Sequence, residues 1–498
     1  MPRAETGSDV AAEASEQTPA ALPTPRVTLL QRLRHQAIRR LSWGVADQIV
    51  SSLTNFAIGI YVIRALGAAQ FGAFSLAYVT YSFSLNASRG LGTDPFLVRF
   101  SGTEHPIWRR AVSHCTGTAA IVGLAAGSVV LVAAMFLHGT TRAAFLALGL
   151  TMPGLMLQDS WRFSFFAQGR GSQAFLNDTV WAVVLFLALF ILKAEGHADV
   201  FWFVFAWGAS ACVAAAVGPF QAGVKPRLSN AVGWMYRHRD LGPRYLAEGT
   251  ANAGATLLFN TSIAFVLGLA AVGYVRAANT LMGPFMIVFY GMGLVTLPEA
   301  ARVLRRSPRH LPLFCMLVSG GLALMALTWG VVLLVALPKG LGALLLKGLW
   351  RPTYKLVLPV TIGVIGGCVS AGAGTGMHAL GVARRSLWAM VISSAATVVL
   401  GLAGAFVGGA PGTIYGAAIA SWIGAVLFWW QLRKALHDSS HIKGRRPARL
   451  RRRSSFLGRA PAGEVAVVCS AGLPHQTRQQ HSPLREGHIM VRNRCRPA

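Results

Sequence analysis

A few ionisable side chains stand out in this chain because their surroundings are almost wholly apolar. Asp47 and Glu248 open two apolar stretches, Arg89 and Asp94 close another, Asp159 and Arg162 end a fourth, Asp178 begins a fifth and Glu299 ends an eighth. A charge in hydrocarbon is costly unless paired or hydrated, so each marks a place where function is expected. Arginine presents a planar fork of donors that matches phosphate oxygens, which makes Arg89 and Arg162 candidates for holding a phosphate group in a hydrated cavity. The competing reading of Arg89 is a structural pair with Asp47 or Asp94, or snorkelling to the interface. Arg162, close to a loop, has the same structural alternative. Asp47 and Glu248 could bind and release a proton as their surroundings change, which would couple the chain to an ion gradient. Alternatively, each meets the positive start of its own helix. His378, in a glycine-rich stretch, is either a proton relay or a polar group packed between helices. Arg64 and Arg276 mark the outer ends of two stretches, where they could receive an anionic group or anchor a helix at the interface.

The elements that must carry these residues follow from composition. The 498-residue chain is 54% hydrophobic and only 13% charged, more apolar surface than a soluble core of this size can bury. Uncharged stretches recur at 65–88, 111–141, 200–224, 249–275, 311–338 and 356–383. Each can cross a hydrocarbon core of about 30 Å, which takes about 20 helical residues. Residues 386–432 are too long for one span, and Gly408-Gly409-Ala410-Pro411-Gly412 near the middle predicts two helices with a tight loop. Adding 42–63, 143–166, 177–192 and 277–298 brings the expectation to twelve spans, the fifth the shortest.

The net charge of +29 is carried in alternate loops and in the tail, which points to membrane topology and away from a nucleic-acid partner. Arg26, Arg32, Arg34, Arg39 and Arg40 precede the first span. Arg99, Arg109 and Arg110 follow the second, Lys225, Arg227, Arg237 and Arg239 the sixth, Arg302, Arg305, Arg306 and Arg309 the eighth, and Arg384 and Arg385 the tenth. The positive-inside rule then places both termini in the cytoplasm and the chain in the inner membrane. Lys339, Lys347, Arg351 and Lys355 break the pattern, because the span count assigns them to the outside. Residues 1–25 lack an apolar core and predict no signal peptide. Six cysteines at unrelated spacings suggest neither a disulfide framework nor a metal site, and no cofactor is expected.

The chain also repeats itself. At an offset of 201, Leu66-Gly67-Ala68-Ala69-Gln70-Phe71-Gly72 overlies Leu267-Gly268-Leu269-Ala270-Ala271-Val272-Gly273, and Asp47 overlies Glu248. At an offset of 203, Gly90-Leu91-Gly92-Thr93-Asp94-Pro95 overlies Gly293-Leu294-Val295-Thr296-Leu297-Pro298, with Arg99 over Arg302. An even number of spans separates the copies, which predicts two lobes related by an axis along the membrane normal, with a substrate path between them. The expected organisation is a disordered, basic cytoplasmic amino terminus (1–40), an N-lobe (41–224), a cytoplasmic linker (225–243), a C-lobe (244–436) and a basic disordered tail (437–498). The tail's arginines are expected to be solvated or to meet anionic lipid headgroups.

These two six-span halves, with Gly273-Tyr274-Val275-Arg276-Ala277-Ala278-Asn279-Thr280-Leu281-Met282-Gly283-Pro284, resemble the polysaccharide-export branch of the multidrug/oligosaccharidyl-lipid/polysaccharide flippase superfamily over roughly residues 40–436. The stretch from Gln158-Asp159-Ser160-Trp161-Arg162-Phe163 through Gln168-Gly169-Arg170 to Asn177-Asp178-Thr179-Val180-Trp181 is similar to actinobacterial members. The resemblance implies an all-α, two-lobed membrane bundle that turns a polyprenyl-pyrophosphate-linked saccharide to the outer leaflet by alternating access. H+ or Na+ would be the coupling ion, and enzymes of polysaccharide synthesis would be its partners. The superfamily also holds drug antiporters and lipid II flippases, so a drug or metabolite antiporter stays open; acids should then outnumber arginines in the cavity. A polymerase or ligase would need a large outer loop, but the longest, 338–355, offers no acid or histidine for acid/base work. With no P-loop either, the chain is expected not to be an enzyme. A scaffold that docks partners through its tail is the remaining reading.

Overall fold

The computed structural model describes residues 50, 52–197 and 199–444, and these are almost all helical, with no strand. Asp47, residues 1–40 and the tail beyond Gly444 lie outside the described residues, as does the side chain of Glu248. The chain is an all-α polytopic membrane protein, as expected. Its first half comprises α1 (52–65), α2 (Ala68–Ser88), α3 (Asp94–Phe100), α4 (His105–Phe136), α5 (Gly139–Ala167), α6 (Gly171–Ala194) and α7 (Val200–Ala222). A short helix, α8 (Ala231–Arg237), follows. The second half comprises α9 (Gly242–Leu267), α10 (Leu269–Leu281), α11 (Gly283–Arg306), α12 (Leu311–Ala336), α13 (Gly342–Leu346), α14 (Trp350–Ala379) and α15 (Ala383–Gly444).

Among the described residues, eight helical stretches are long and apolar enough to cross a membrane. Two of them double back: 308–379 between α12 and α14, and α15 at Gly408 and Gly409, whose backbones leave the helical region. The two limbs of α15 then touch at Gly404 and Gly412, as the glycine-rich turn predicts. With α1 and α2 this makes twelve passes. α2 falls outside the apolar set because Tyr78, Thr80, Tyr81, Ser82, Ser84 and Asn86 interrupt it. Helix starts are locally encoded: α4, α9, α11 and α12 carry proline in the first turn, where a missing N–H costs nothing. Asp199 caps α7 by accepting from Phe201 N at 2.9 Å.

Several boundaries differ from expectation. The fifth span is a full-length helix, α6, whose polar first turns hide it from a charge-free window. The second span does not end at Ser88 but runs on through a π-helical turn, Arg89–Thr93, into α3. Pro95 lacks an N–H and its ring crowds the carbonyl four residues back, and the wider turn absorbs that conflict. The seventh span ends at Leu267, and Gly268, at φ 84°, turns the chain into α10. The 249–275 stretch therefore belongs to two helices.

The repeat is visible as a crossing. A Cβ on Gly72 would strike the carbonyl of Leu269, and a Cβ on Gly273 would strike the carbonyl of Ala68. These two contacts are each other's image at the offset of 201, so α2 and α10 cross about a two-fold relation with glycine on both sides. Close approach of this kind, with small residues at the seam, is how helices associate in lipid. In the first half, α5 packs between α4 and α7, burying Trp161, Phe165, Met152 and Met156. In the second, α14 packs on α12 and the last limb of α15. Ser421 Oγ donates to Gly363 O at 2.8 Å and Trp429 Nε1 to Val369 O at 3.0 Å, while Gly372 lies against the carbonyl of Cys315. The span-ten glycines thus serve packing, and α14 stays helical through all of them.

The connection between halves is strapped to the first. Arg227 N donates to Ser113 O at 2.8 Å, Ser113 Oγ to Lys225 O at 2.7 Å, and Arg99 pairs with Asp240 at 2.6 Å. Trp234 of α8 is buried against Phe100 and His238.

Candidate functional site

Asp159 and Arg162 lie three residues apart on α5, hence on one face. The π-helical turn brings Arg89 to that face. Its Nε donates to Asp159 Oδ2 at 2.8 Å and its Nη2 to Oδ1 at 2.6 Å, a two-pronged pair. The Arg89 guanidinium also stands 4.7 Å from the Phe163 ring centroid. One turn along, Arg162 Nε meets Asp178 Oδ2 of α6 at 3.1 Å. Gln158 donates to the other Asp178 oxygen at 2.8 Å, and Asn177 donates to Gln221 and to Ala214 O of α7, both at 2.9 Å. The carboxylates are the buried members, with side chains 7% and 3% exposed at Asp159 and Asp178 against 29% and 16% at Arg89 and Arg162.

The sequence offered Arg89 as a phosphate-holding candidate, with a structural pair to Asp47 or Asp94 or snorkelling as the alternative. The structure gives it Asp159, 70 residues away. The amides Gln158, Asn177 and Gln221 were missed; their only signal was their position beside the acids in apolar helices.

Arg276 is elsewhere. The expected outer-end position is corrected, because α10 begins at Leu269 and the residue lies seven positions in, about 10 Å along the helix. There it faces the seam between halves, its guanidinium 4.1 Å from the Tyr78 ring centroid. It lines a cavity of about 340 Å³ with Ser52, Asn55, Tyr78, Asn279 and Tyr290. Among the described residues lining it there is no carboxylate. A second seam cavity, about 250 Å³ between α2 and α9, is walled by Ser82, Asn86, Asn252 and Thr256, all neutral and polar. Among the described residues, the polar lining of these two seam cavities is hydroxyls, amides and tyrosine rings, with one arginine.

The remaining candidates are scattered. Arg64 is exposed on the last turn of α1. Glu248 falls on the second turn of α9. His378 is exposed on the last turn of α14, so its side chain is not packed between helices, whereas Gly376 and Met377 of the same turn lie against α12 and α15. The described cysteines, Cys115, Cys212, Cys315 and Cys368, are free thiols, and no described cluster could hold a metal.

No protein-family model matches the chain, and no curated protein matches it in sequence. Solved structures do match. An inward-facing MATE-family multidrug resistance transporter of the MOP superfamily superposes with a TM-score of 0.66 at 15% identity, covering 82% of this chain and 100% of its own. The fold is that of the MOP-superfamily transporters. The lipid II flippase MurJ, in an inward closed conformation, shares this MOP fold at a TM-score of 0.61 and 12% identity, over 79% of this chain and 88% of MurJ. A MOP-superfamily transporter from Pyrococcus furiosus, described as having a binding pocket of reverse polarity, matches at 0.54 and 14% identity over 80% and 95%.

Proposed function

We propose that this chain is a flippase of MOP fold that moves a polyprenyl-pyrophosphate-linked saccharide across the inner membrane by alternating access, for polysaccharide export, with both termini cytoplasmic. The observation that carries the reading is the polarity of the seam. Arg276 stands in a cavity without a described carboxylate, while Asp159 and Asp178 are taken up by Arg89 and Arg162. An arginine fork beside amides, hydroxyls and tyrosine rings suits a phosphate joined to a sugar. A cationic drug would need an unpaired acid there. Arg276 is then the first contact of the pyrophosphate, and Arg89 and Arg162 hold the first half rigid beside it. Likeness to a lipid II flippase agrees with a lipid-linked saccharide as cargo. Asp47 and Glu248, equivalent in the repeat, are assigned to H+ or Na+ coupling.

The test is a leaflet-sidedness assay in proteoliposomes holding a fluorescent polyprenyl-pyrophosphate-linked saccharide. Wild-type protein accelerates its appearance in the opposite leaflet. Losing a charge-assisted hydrogen bond in Arg276→Gln slows it by about tenfold or more. No acceleration by the wild type overturns the proposal, and proton-driven uptake of a cationic dye in its place establishes the antiporter.

A further inference from the structure

Lys339, Lys347, Arg351 and Lys355 lie between α12 and the first turns of α14, on the side where the positive-inside rule expects few cations. The structure gives one of them a partner set. Lys347 joins Arg64 of α1 and Lys193 of α6 around a cavity of about 690 Å³, whose other walls include Phe56, Ile60 and Leu345. Among the described residues, no carboxylate lines it. Of the acids that follow Lys193, Asp199 is taken up in the cap of α7, and Glu195 is exposed beside His197 and does not line the cavity.

A second observation comes from the backbone. Lys347 has φ 46° and ψ −126°, and it is the only non-glycine with positive φ among the described residues. A side chain is disfavoured in that region and glycine is not. A lysine kept there against its backbone preference indicates that the ammonium group is what the position needs.

We propose that this cavity binds the phosphate head of an anionic phospholipid in the outer part of the membrane. Arg64, Lys193 and Lys347 hold the phosphate, and an acyl chain lies along Phe56 and Ile60. The mixed lining selects this occupant: three cations without an acid for the head, and an apolar wall on a lipid-embedded helix for the tail. The site joins α1 and α6 of the first half to the α12–α14 connection of the second, so a bound lipid ties the halves together at the outer end. Its cations are not those of the proposed cargo cavity: Phe56 borders both cavities, but Arg64, Lys193 and Lys347 line only this one and Arg276 only the other.

Phosphatidylglycerol and phosphatidylcholine are the probes, with binding to the full-length protein in detergent read by native mass spectrometry and by the thermal unfolding midpoint. Phosphatidylglycerol binds and raises the midpoint; phosphatidylcholine does neither. Arg64→Gln, Lys193→Gln and Lys347→Gln each weaken phosphatidylglycerol binding about fivefold. Lys347→Gly separates charge from fold: the lipid-free protein is at least as stable as wild type, yet phosphatidylglycerol binding still falls. Equal binding of the two lipids, or unchanged phosphatidylglycerol binding by Lys347→Gly, overturns the proposal. So does saturation of the site by farnesyl pyrophosphate that phosphatidylglycerol cannot displace, which would make it a cargo site. Arg276→Gln keeps phosphatidylglycerol binding whether or not it stops transport, so the two proposals fail separately.

Discussion

Arg89 in the first half and Met292 in the second occupy equivalent places in the repeat, 203 residues apart. Arg89 sits at the head of a π-helical turn and reaches a buried carboxylate; Met292 lies on the regular helix α11 and is exposed. Asp94 and Leu297 differ in the same way, although Pro95 and Pro298 are shared. The first half buries two arginine–aspartate pairs and an amide chain. The second is joined instead by glycine contacts and by tryptophan N–H groups and a serine hydroxyl bonded to carbonyls. The helix path is common to both halves and the chemistry is not.

The largest effect expected is from Asp178→Ala. Removing one partner of a buried ion pair costs about 3–5 kcal/mol, read as thermal unfolding of the protein in detergent. Met292→Ala should cost about 1 kcal/mol or less. Equal losses at the two would break the comparison. Replacing Asp178 and Arg162 together by apolar residues should recover most of the loss, because no charge is then left unpaired.

The glycine crossing sharpens the same comparison from the side of symmetry. Gly72→Val and Gly273→Val should each cost about 1–3 kcal/mol through overpacking, and the two losses should match. Spin-label distances between α2 and α10 should lengthen in both variants. A large inequality would mean that the crossing is not a two-fold contact.

The smallest effect is a pH dependence confined to the strap on the first half. Burial, aided by Arg99 and Arg237, holds His238 below its ordinary pKa of 6.5. The unfolded strap therefore takes up a proton first, and its stability, complete above about pH 6.5, falls as the pH is lowered. Hydrogen-exchange protection factors over α8, corrected for the intrinsic pH dependence of exchange, should fall on acidification and stay constant in His238→Phe, with no change in α12 or α14.

Span count, the turn at Gly408 and Gly409, and the internal repeat were legible in the sequence, because hydropathy and turn chemistry are local properties of the chain. So was the clustering of charge in the first half, since Arg89, Asp159, Arg162 and Asp178 interrupt otherwise apolar helices. The partner of Arg89 was not legible. Choosing Asp159 over Asp47 or Asp94 depends on a π-helical turn and on how α2 crosses α5, neither of which leaves a periodic trace. Arg276 was misplaced for a related reason: a charge-free window runs through the turn at Gly268 and merges two helices. What the sequence determined by itself is how often this chain crosses the membrane and that it does so twice over. Only tertiary packing decided which charges neutralise each other and which, like Arg276 and Lys347, are left facing a cavity, because burial and pairing depend on residues far apart in the chain.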